Sequence, residues 1–154
     1  MELLLWRHAD ALHGVPDIGR ELSTRGWRQA RKVAAWLDEH APAGLRLLVS
    51  PAVRTRQTAA CFRADESAMR FHAPLFDGAT PGEILALLDW PRASTPALVV
   101  GHQPLLGEIA ACLLGDAPFP PSFRKGALWW LRSEPEQGRA RLARVVEADV
   151  PPLP

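Results

Sequence analysis

The chain has 154 residues, 47% of them hydrophobic, which is the size of one ordinary domain with a single sizeable core. Its 18 basic and 17 acidic side chains nearly cancel, so charge gives no general reason to expect binding to nucleic acid or to an anionic membrane. The first apolar run, residues 3–6, is too short for a signal peptide or a membrane span, which makes a cytoplasmic protein the default expectation.

Strand and helix patterns alternate from the start of the chain. Residues 3–6 form a continuous apolar run that is typical of a buried strand in a parallel sheet. Ser23 or Thr24 can then cap a helix whose apolar residues recur at helical spacing. Residues 45–49 predict a second buried strand, and residues 53–64 a second helix.

The same alternation continues in the second half. Residues 69–74 predict a short strand. A helix start follows, in which Thr80 is the cap, the next residue is proline and Glu83 stands at the third helical position. Residues 97–100 predict a third buried strand, and Pro104 can open the helix that comes after it.

The last two predicted strands, residues 127–132 and 139–147, flank a turn-forming segment and predict a hairpin. Strands that alternate with helices favour a three-layer α/β/α sandwich with a mainly parallel central sheet. The sequence therefore predicts a single domain over residues 1–154, ending in a C-terminal antiparallel hairpin.

Basic side chains follow all three of the predicted parallel strands. Arg7 and His8 end the first strand, and His102 ends the third. Ser50 ends the second strand, and Arg54 lies one helical turn further on. Because the carboxyl ends of parallel strands meet at one edge of a sheet, we expect these side chains to converge. Together they would form a cationic pocket suited to a phosphoryl group.

Each of these residue types suits a step of phosphoryl transfer. Arg7 and Arg54 can clamp phosphate oxygens with their planar guanidinium groups. His8 can act as a covalent nucleophile when it is neutral, and nearby guanidinium charge helps by lowering its pKa. His102 can donate a hydrogen bond to a non-bridging oxygen in the transition state. Since the arginines supply the electrostatic stabilisation, the scheme needs no metal and no cofactor.

The motifs resemble a known family in both residues and order. They are Arg7-His8-Ala9, Ser50-Pro51 followed by Arg54 and Gln57-Thr58, and Gly101-His102. This set is similar to the histidine phosphatase, or phosphoglycerate mutase-like, superfamily, and most similar to its small bacterial SixA-type phosphohistidine phosphatases. The resemblance implies that His8 accepts the phosphoryl group, that Arg7, Arg54 and His102 form the phosphate pocket, and that Ser50 is a lesser phosphate contact.

A general acid is the least defined part of the predicted site. Many relatives place a glutamate between the second arginine and the second histidine, and here Asp77 is the first candidate and Glu83 the second. If the substrate is phosphohistidine, its imidazole leaving group departs more easily than an alkoxide, so a strong acid matters less. The weak match in this region therefore favours phosphoramidate substrates.

The short segment 55–101 leaves little room for the cap domain that encloses small substrates in mutases of this family. An open site suits a phosphorylated protein, and inorganic phosphate or sulfate is expected to fit the same pocket. The leading prediction is a phosphohistidine phosphatase acting on a signalling or phosphotransfer protein. The alternatives are a phosphatase of small phosphate monoesters and a catalytically weak phosphate-binding module. No nucleic acid or membrane partner is expected.

The remaining histidines and the cysteines predict no site. His13, His40 and His72 lack metal-ligand spacing and are expected at the surface. Cys61 and Cys112 lie far apart in apolar, helix-like stretches. They are predicted to be buried free thiols rather than disulfide or zinc ligands.

Overall fold

In the computed structural model, the described residues, 1–115 and 120–149, form one six-stranded sheet with helices on both faces. The strands are β1 (Glu2–Arg7), β2 (Arg46–Val49), β3 (Met69–Phe71), β4 (Ala97–Gly101), β5 (Leu128–Glu134) and β6 (Arg139–Val146). The helices are α1 (Thr24–His40), α2 (Val53–Ala60), α3 (Pro81–Leu87) and α4 (Leu105–Leu114). No further domain covers the sheet within these residues.

The strand order is β3-β2-β4-β1-β5-β6. The pairs β1–β4, β2–β4 and β2–β3 are parallel, whereas β5 pairs antiparallel with both β1 and β6. This topology confirms the predicted α/β sandwich with a mainly parallel sheet and an antiparallel C-terminal hairpin. Strands β1, β2 and β4 are neighbours at its centre, so their carboxyl ends share one edge.

Two apolar cores lie on opposite faces of the sheet. Because side chains alternate along a strand, Leu4 and Trp6 of β1 face one core while Leu3 and Leu5 face the other. The first core packs against α1 and α2 and the second against α3 and α4. All four of these β1 side chains have no exposed surface, which explains why the strand reads as an unbroken apolar run.

Helix α1 begins in close contact with the loop that follows β1. Ser23 is its cap, and the hydroxyl accepts a hydrogen bond of 3.0 Å from the Gly26 amide. A Cβ atom at Gly26 would collide with the backbone oxygen of Asp10. Only glycine permits this approach, and it fixes the helix against the loop.

Two predicted elements are shorter in the structure. Helix α2 ends at Ala60 rather than at residue 64, and β3 ends at Phe71 rather than at residue 74. The chain turns into a short 3₁₀ helix at Ala73–Leu75, where Pro74 provides no amide for a strand ladder. The predicted start of α3 is confirmed, because Thr80 and Glu83 form a capping box.

The prediction of two buried thiols is wrong for Cys112, which is exposed, while Cys61 is half-buried. Helix α4 turns Ile109 and Leu113 toward the core, and Cys112 lies beside that face rather than on it. Across the described ranges, no helix is long and apolar enough to cross a membrane.

Candidate active site

The basic side chains of the three strand ends meet in the structure as expected. Parallel pairing sets Arg7 of β1 opposite Gly101 of β4. The rings of His8 and His102 then lie with their centroids 5.2 Å apart. Arg54 reaches across from α2, where its Nη2 atom lies 3.4 Å from Nδ1 of His102. Residues more than ninety positions apart in the chain thus form one small site.

His8 is held at several points and is only 6% exposed. Its amide donates to the Gly101 carbonyl, and its own carbonyl accepts from the Gly126 amide, both at 3.0 Å. Its Nδ1 atom lies 2.7 Å from the carbonyl oxygen of Ala9. A carbonyl can only accept, so Nδ1 carries the proton and Nε2 keeps a free lone pair. That lone pair is the nucleophile the predicted chemistry requires.

Both arginines are anchored through part of their guanidinium groups. Arg7 donates from Nη1 to the Phe123 carbonyl at 2.6 Å. Arg54 donates to Asp17 twice, to its backbone oxygen at 2.8 Å and to its carboxylate at 3.1 Å. The Nε atom of each arginine is buried and has no hydrogen-bond partner among the described residues. These unpaired donors can satisfy a phosphoryl oxygen, which would also remove the cost of leaving them unpaired.

His102 is positioned by Ser50, whose hydroxyl lies 2.7 Å from its Nε2 atom. Arg54 can only donate, so Nδ1 of His102 accepts and Nε2 donates to Ser50. Ser50 is fully buried behind the ring. Its hydroxyl is therefore placed to orient the imidazole, and its contact with phosphate stays a prediction. The edge of the Phe76 ring packs against His102, with centroids 5.8 Å apart.

Both imidazoles are neutral near pH 7. Burial, followed by the charges of Arg54 and Arg7, lowers the pKa of His8 to about 4, although the hydrogen bond to Ala9 acts in the opposite direction. Burial, followed by the electrostatic effects of the neighbouring His8 and then of Arg54, lowers the pKa of His102 to about 3. Desolvation is the larger cause for both rings, ahead of the guanidinium charge expected from the sequence.

Comparison with known proteins identifies the family. The model of the histidine phosphatase superfamily (branch 1) matches residues 3–74. The phosphohistidine phosphatase SixA of Escherichia coli is 33% identical over 136 residues, which cover 83% of this chain and 83% of that protein. The chain belongs to the histidine phosphatase superfamily.

Further relatives of this histidine phosphatase match along most of its length. An uncharacterized protein of Picosynechococcus is 36% identical over 152 residues, covering 92% of this chain and 88% of the relative. A solved structure of the protein histidine phosphatase SixA complexed with tungstate superposes with a TM-score of 0.80 at 26% identity, covering 96% of this chain and 97% of that one. The chain is accordingly a phosphatase, and its fold is that of SixA.

Asp17, which was not among the residues predicted from the sequence, holds the Arg54 side chain of this phosphatase in place. Burial acts to raise the pKa of Asp17, but the hydrogen bond and charge of Arg54 outweigh it and hold that pKa below its ordinary value. Arg20 adds a weaker contact to the same carboxylate at 3.4 Å. Asp17 lies in a polar loop whose pattern predicts only a turn, so no local signal links it to Arg54.

The two candidate acids lie in different surroundings. Asp77 and His102 line the same pocket of about 200 Å³, together with Phe76. Glu83 is exposed, and its carboxylate accepts a hydrogen bond of 2.8 Å from the Thr80 amide. The structure therefore gives Glu83 a capping role at the start of α3, and only Asp77 stays near the site as a predicted acid.

The side chains of the site suit an oxyanion better than a metal ion. The described residues contain no cluster of three or more histidine, cysteine, aspartate or glutamate side chains that could hold a metal. Arginine fills the positions around the two imidazoles instead, and guanidinium groups bind phosphate oxygens directly.

Proposed function

We propose that this phosphatase removes phosphoryl groups from phosphohistidine on a protein, with His8 as the covalent acceptor and with no metal or cofactor. One observation carries the proposal above the others. The Nδ1 proton of His8 is committed to the Ala9 carbonyl, so a neutral imidazole presents its Nε2 lone pair beside the guanidinium groups. A nucleophile and an oxyanion clamp then act on the same phosphorus atom.

In the first step, Nε2 of His8 attacks the phosphorus atom and a new N–P bond forms. The bond between phosphorus and the substrate nitrogen breaks, and that nitrogen keeps the electron pair and takes a proton from solvent. Arg7 and Arg54 hold the equatorial oxygens, with their unpaired Nε atoms as additional donors. As the phosphoryl group enters, its negative charge favours protonation of His102, which can then donate from Nδ1.

In the second step, water attacks the phosphorus atom of the phosphorylated His8. The N–P bond breaks, the electron pair returns to Nε2, and inorganic phosphate leaves with the oxygen of the water. Ser50 keeps His102 oriented through both steps because its hydroxyl is fully buried against Nε2. Inorganic phosphate or sulfate is expected to occupy the same place as the transferred group.

Phosphohistidine is the favoured substrate because the site holds no buried acid among its described residues. Glu83 is used at a helix cap and Asp77 is an exposed loop residue. An imidazole leaving group is much less basic than an alkoxide and departs more easily, so its release depends less on such an acid. The name of the SixA relative, a phosphohistidine phosphatase, supports the same choice.

A phosphatase of small phosphate esters is the second candidate, and the position of Asp77 favours it. If Asp77 protonates the leaving oxygen from the pocket that it lines with His102, esters become good substrates. The Asp77→Asn variant distinguishes the two functions. Ester hydrolysis should fall by about tenfold or more if Asp77 is the acid, while phosphohistidine hydrolysis should change little.

The decisive experiment compares hydrolysis of a phosphohistidine-bearing protein and of p-nitrophenyl phosphate in the presence of a metal chelator. Wild type should turn over the phosphoprotein faster, and His8→Ala should lose at least ~10³-fold activity on both substrates. His13→Ala, which removes an exposed histidine, is the matched control for the ester. Rapid quenching at neutral pH and mass spectrometry should find the phosphoryl group on His8.

Three outcomes would overturn parts of the proposal. Undiminished activity of His8→Ala would exclude the covalent mechanism. Loss of wild-type activity with chelator would exclude metal independence. Phosphate binding without turnover of either substrate would favour the binding-module alternative.

We propose in addition that residues 1–154 form a single domain, since both cores share one sheet.

A further inference from the structure

A second group of arginines lies on the C-terminal hairpin, away from the catalytic edge. Arg132 belongs to β5, and Arg141 and Arg144 belong to β6. They line a pocket of about 230 Å³ that we name the arginine cup. Its residues are Trp36, His40, Trp130, Arg132, Arg141, Ala143 and Arg144. None of them was assigned a function by the sequence or by the catalytic mechanism.

The cup lies at the far end of the sheet from His8. Arg132 stands opposite Glu2, the first residue of β1, whereas Arg7 and His8 follow at the other end of that strand. Five residue steps of an extended strand span ~17 Å. The cup is therefore a separate site, and what it binds does not depend on the proposed reaction.

A β-bulge brings the arginines of β6 together. Trp130 pairs with Arg144, but the next residue of β5 pairs with Leu142, so Ala143 is an extra residue in the ladder. Residues three apart on a regular strand face opposite sides of a sheet. The bulge reverses this and sets Arg141 and Arg144 on the same side. Bulges that redirect a side chain in this way are frequent next to binding sites.

The resulting arrangement concentrates positive charge that the protein only partly neutralises. Arg132 and Arg141 are direct cross-strand partners, and like charges in that position repel. Glu2 and Glu134 each lie 3.5 Å from one of these guanidinium groups, longer than a strong charged hydrogen bond. Among the described residues, no carboxylate forms an ion pair with Arg144. A bound anion would relieve this repulsion.

The floor of the cup offers a further donor. The Trp130 side chain is largely buried, and its indole Nε1 has no hydrogen-bond partner among the described residues. Trp36 packs edge-on against this ring with centroids 6.0 Å apart, and His40 stacks on Trp36. The Arg132 side chain, 44% exposed, lies over the indole with its guanidinium carbon 5.5 Å from the ring centroid. An exposed guanidinium group thus lies over an indole whose N–H has no described partner.

We propose that the arginine cup binds a small, multiply charged oxyanion carrying carboxylate or phosphate groups. Three guanidinium groups favour more than one negative charge, and an indole N–H can only donate, which matches an acceptor. The volume of about 230 Å³ is below the ~300–1,000 Å³ typical of pockets for drug-sized ligands, so the ligand is small.

The test is a titration of the isotope-labelled protein with citrate and with inorganic phosphate, followed in ¹H–¹⁵N spectra. Trp130→Phe assigns the Trp130 indole signal. We expect that signal to shift saturably with both anions. Arg141→Gln should weaken binding at the cup roughly tenfold, the loss expected for one charge-assisted hydrogen bond. Arg28→Gln, which removes an exposed arginine of α1 outside the cup, should leave binding unchanged.

Phosphate also enters the catalytic pocket, so the two sites must be separated. The Gly101 amide reports on the catalytic pocket, and Arg54→Lys should weaken its response while the Trp130 shift stays the same. Arg144→Gln provides a second cup variant if Arg141→Gln disturbs the hairpin.

Two results would overturn the proposal. The first is a Trp130 signal that does not shift at anion concentrations that saturate the catalytic pocket. A signal that shifts as much in both cup variants as in wild type would have the same meaning. The second concerns the source of the carboxylate. A short glutamate peptide that displaces citrate at concentrations well below those at which citrate binds would assign the cup to a protein partner rather than to a small ligand.

Discussion

Two regions of this molecule gather arginines, and they hold them in different ways. In the catalytic pocket Arg54 is 8% exposed, and its guanidinium group is fixed by the backbone and carboxylate of Asp17. In the arginine cup, Arg132 and Arg141 are 44% and 54% exposed and meet their carboxylates only at 3.5 Å. The same side chain is a fixed clamp in one region and an adjustable contact in the other.

The difference matches the roles that we propose for the two regions. A guanidinium group that stabilises a transition state needs its position set before the substrate arrives, and burial with short hydrogen bonds supplies that. Reversible binding of an anion tolerates side chains that move and remain hydrated. Burial and fixation, rather than the number of arginines, therefore separate the two sites.

Replacement of the fixed clamp tests this contrast most strongly. Arg54→Lys keeps the charge but loses the planar fork that reaches Asp17 and the phosphoryl group at once. We expect kcat to fall by ~10²–10³-fold, as for the removal of one oriented transition-state donor. Steady-state kinetics on p-nitrophenyl phosphate provides the measurement. A decrease of less than threefold would show that charge alone suffices.

Acid pH should destabilise the catalytic region through its two buried imidazoles. His8 and His102 have pKa values of about 4 and about 3 in the folded protein, against 6.5 in the unfolded chain. Below pH 6.5 the unfolded chain therefore binds protons that the folded protein does not, and the free energy of unfolding falls as pH falls. The loss should reach roughly 5 kcal/mol by pH 4.5.

Urea denaturation between pH 7 and 4.5 measures this loss. Carboxylates with an ordinary pKa near 3.8 contribute mainly below this range. The His8→Gln variant should show about half the pH dependence, since one of the two imidazoles is gone. An unchanged slope in that variant would place the titrating groups elsewhere.

Asp17→Asn should have a smaller effect that separates binding from chemistry. The amide keeps a hydrogen-bonding oxygen near Arg54 but removes a negative charge beside the phosphate pocket. Inorganic phosphate should inhibit a few-fold more strongly while kcat falls a few-fold, in line with a partly exposed ion pair. Equal losses in phosphate affinity and kcat would mean that Asp17 only supports the fold.

Substitution in the cup should have the least effect on catalysis. Arg144 lies on the edge strand β6 and lines the cup, so the Arg144→Gln substitution touches none of the catalytic side chains. Distant, independent sites leave each other's energies almost unchanged, so kcat/KM should stay within about twofold of wild type. A larger change, measured on the same ester, would reveal coupling between the two regions.

The sequence predicted the fold well because its strongest signals are local. The apolar runs at residues 3–6 and 97–100 are buried strands, and the Thr80–Glu83 capping box is present. The predicted ends of α2 and β3 were too long because helix and strand ends depend on packing. The exposure of Cys112 shows the same limit, since an apolar helix does not reveal which face it buries.

The candidate site could be predicted where its residues follow parallel strands. His8 and His102 meet because topology places all such ends at one edge. The Asp17 contact with Arg54 joins a loop to a helix by tertiary folding and leaves no pattern in the sequence. The face that Ser50 presents to His102 depends on burial, which motif matching does not report.

The absence of a cap domain over the described sheet has a consequence for the fate of the phosphorylated enzyme. An enclosed site keeps bulk water from a reactive intermediate, which lets a second substrate receive the group. Here the segment between β2 and β4 carries only a short helix, a short strand and α3 besides its loops and 3₁₀ turns. For the proposed mechanism we therefore expect water to reach the phosphorylated enzyme, so that hydrolysis should outcompete transfer to another acceptor.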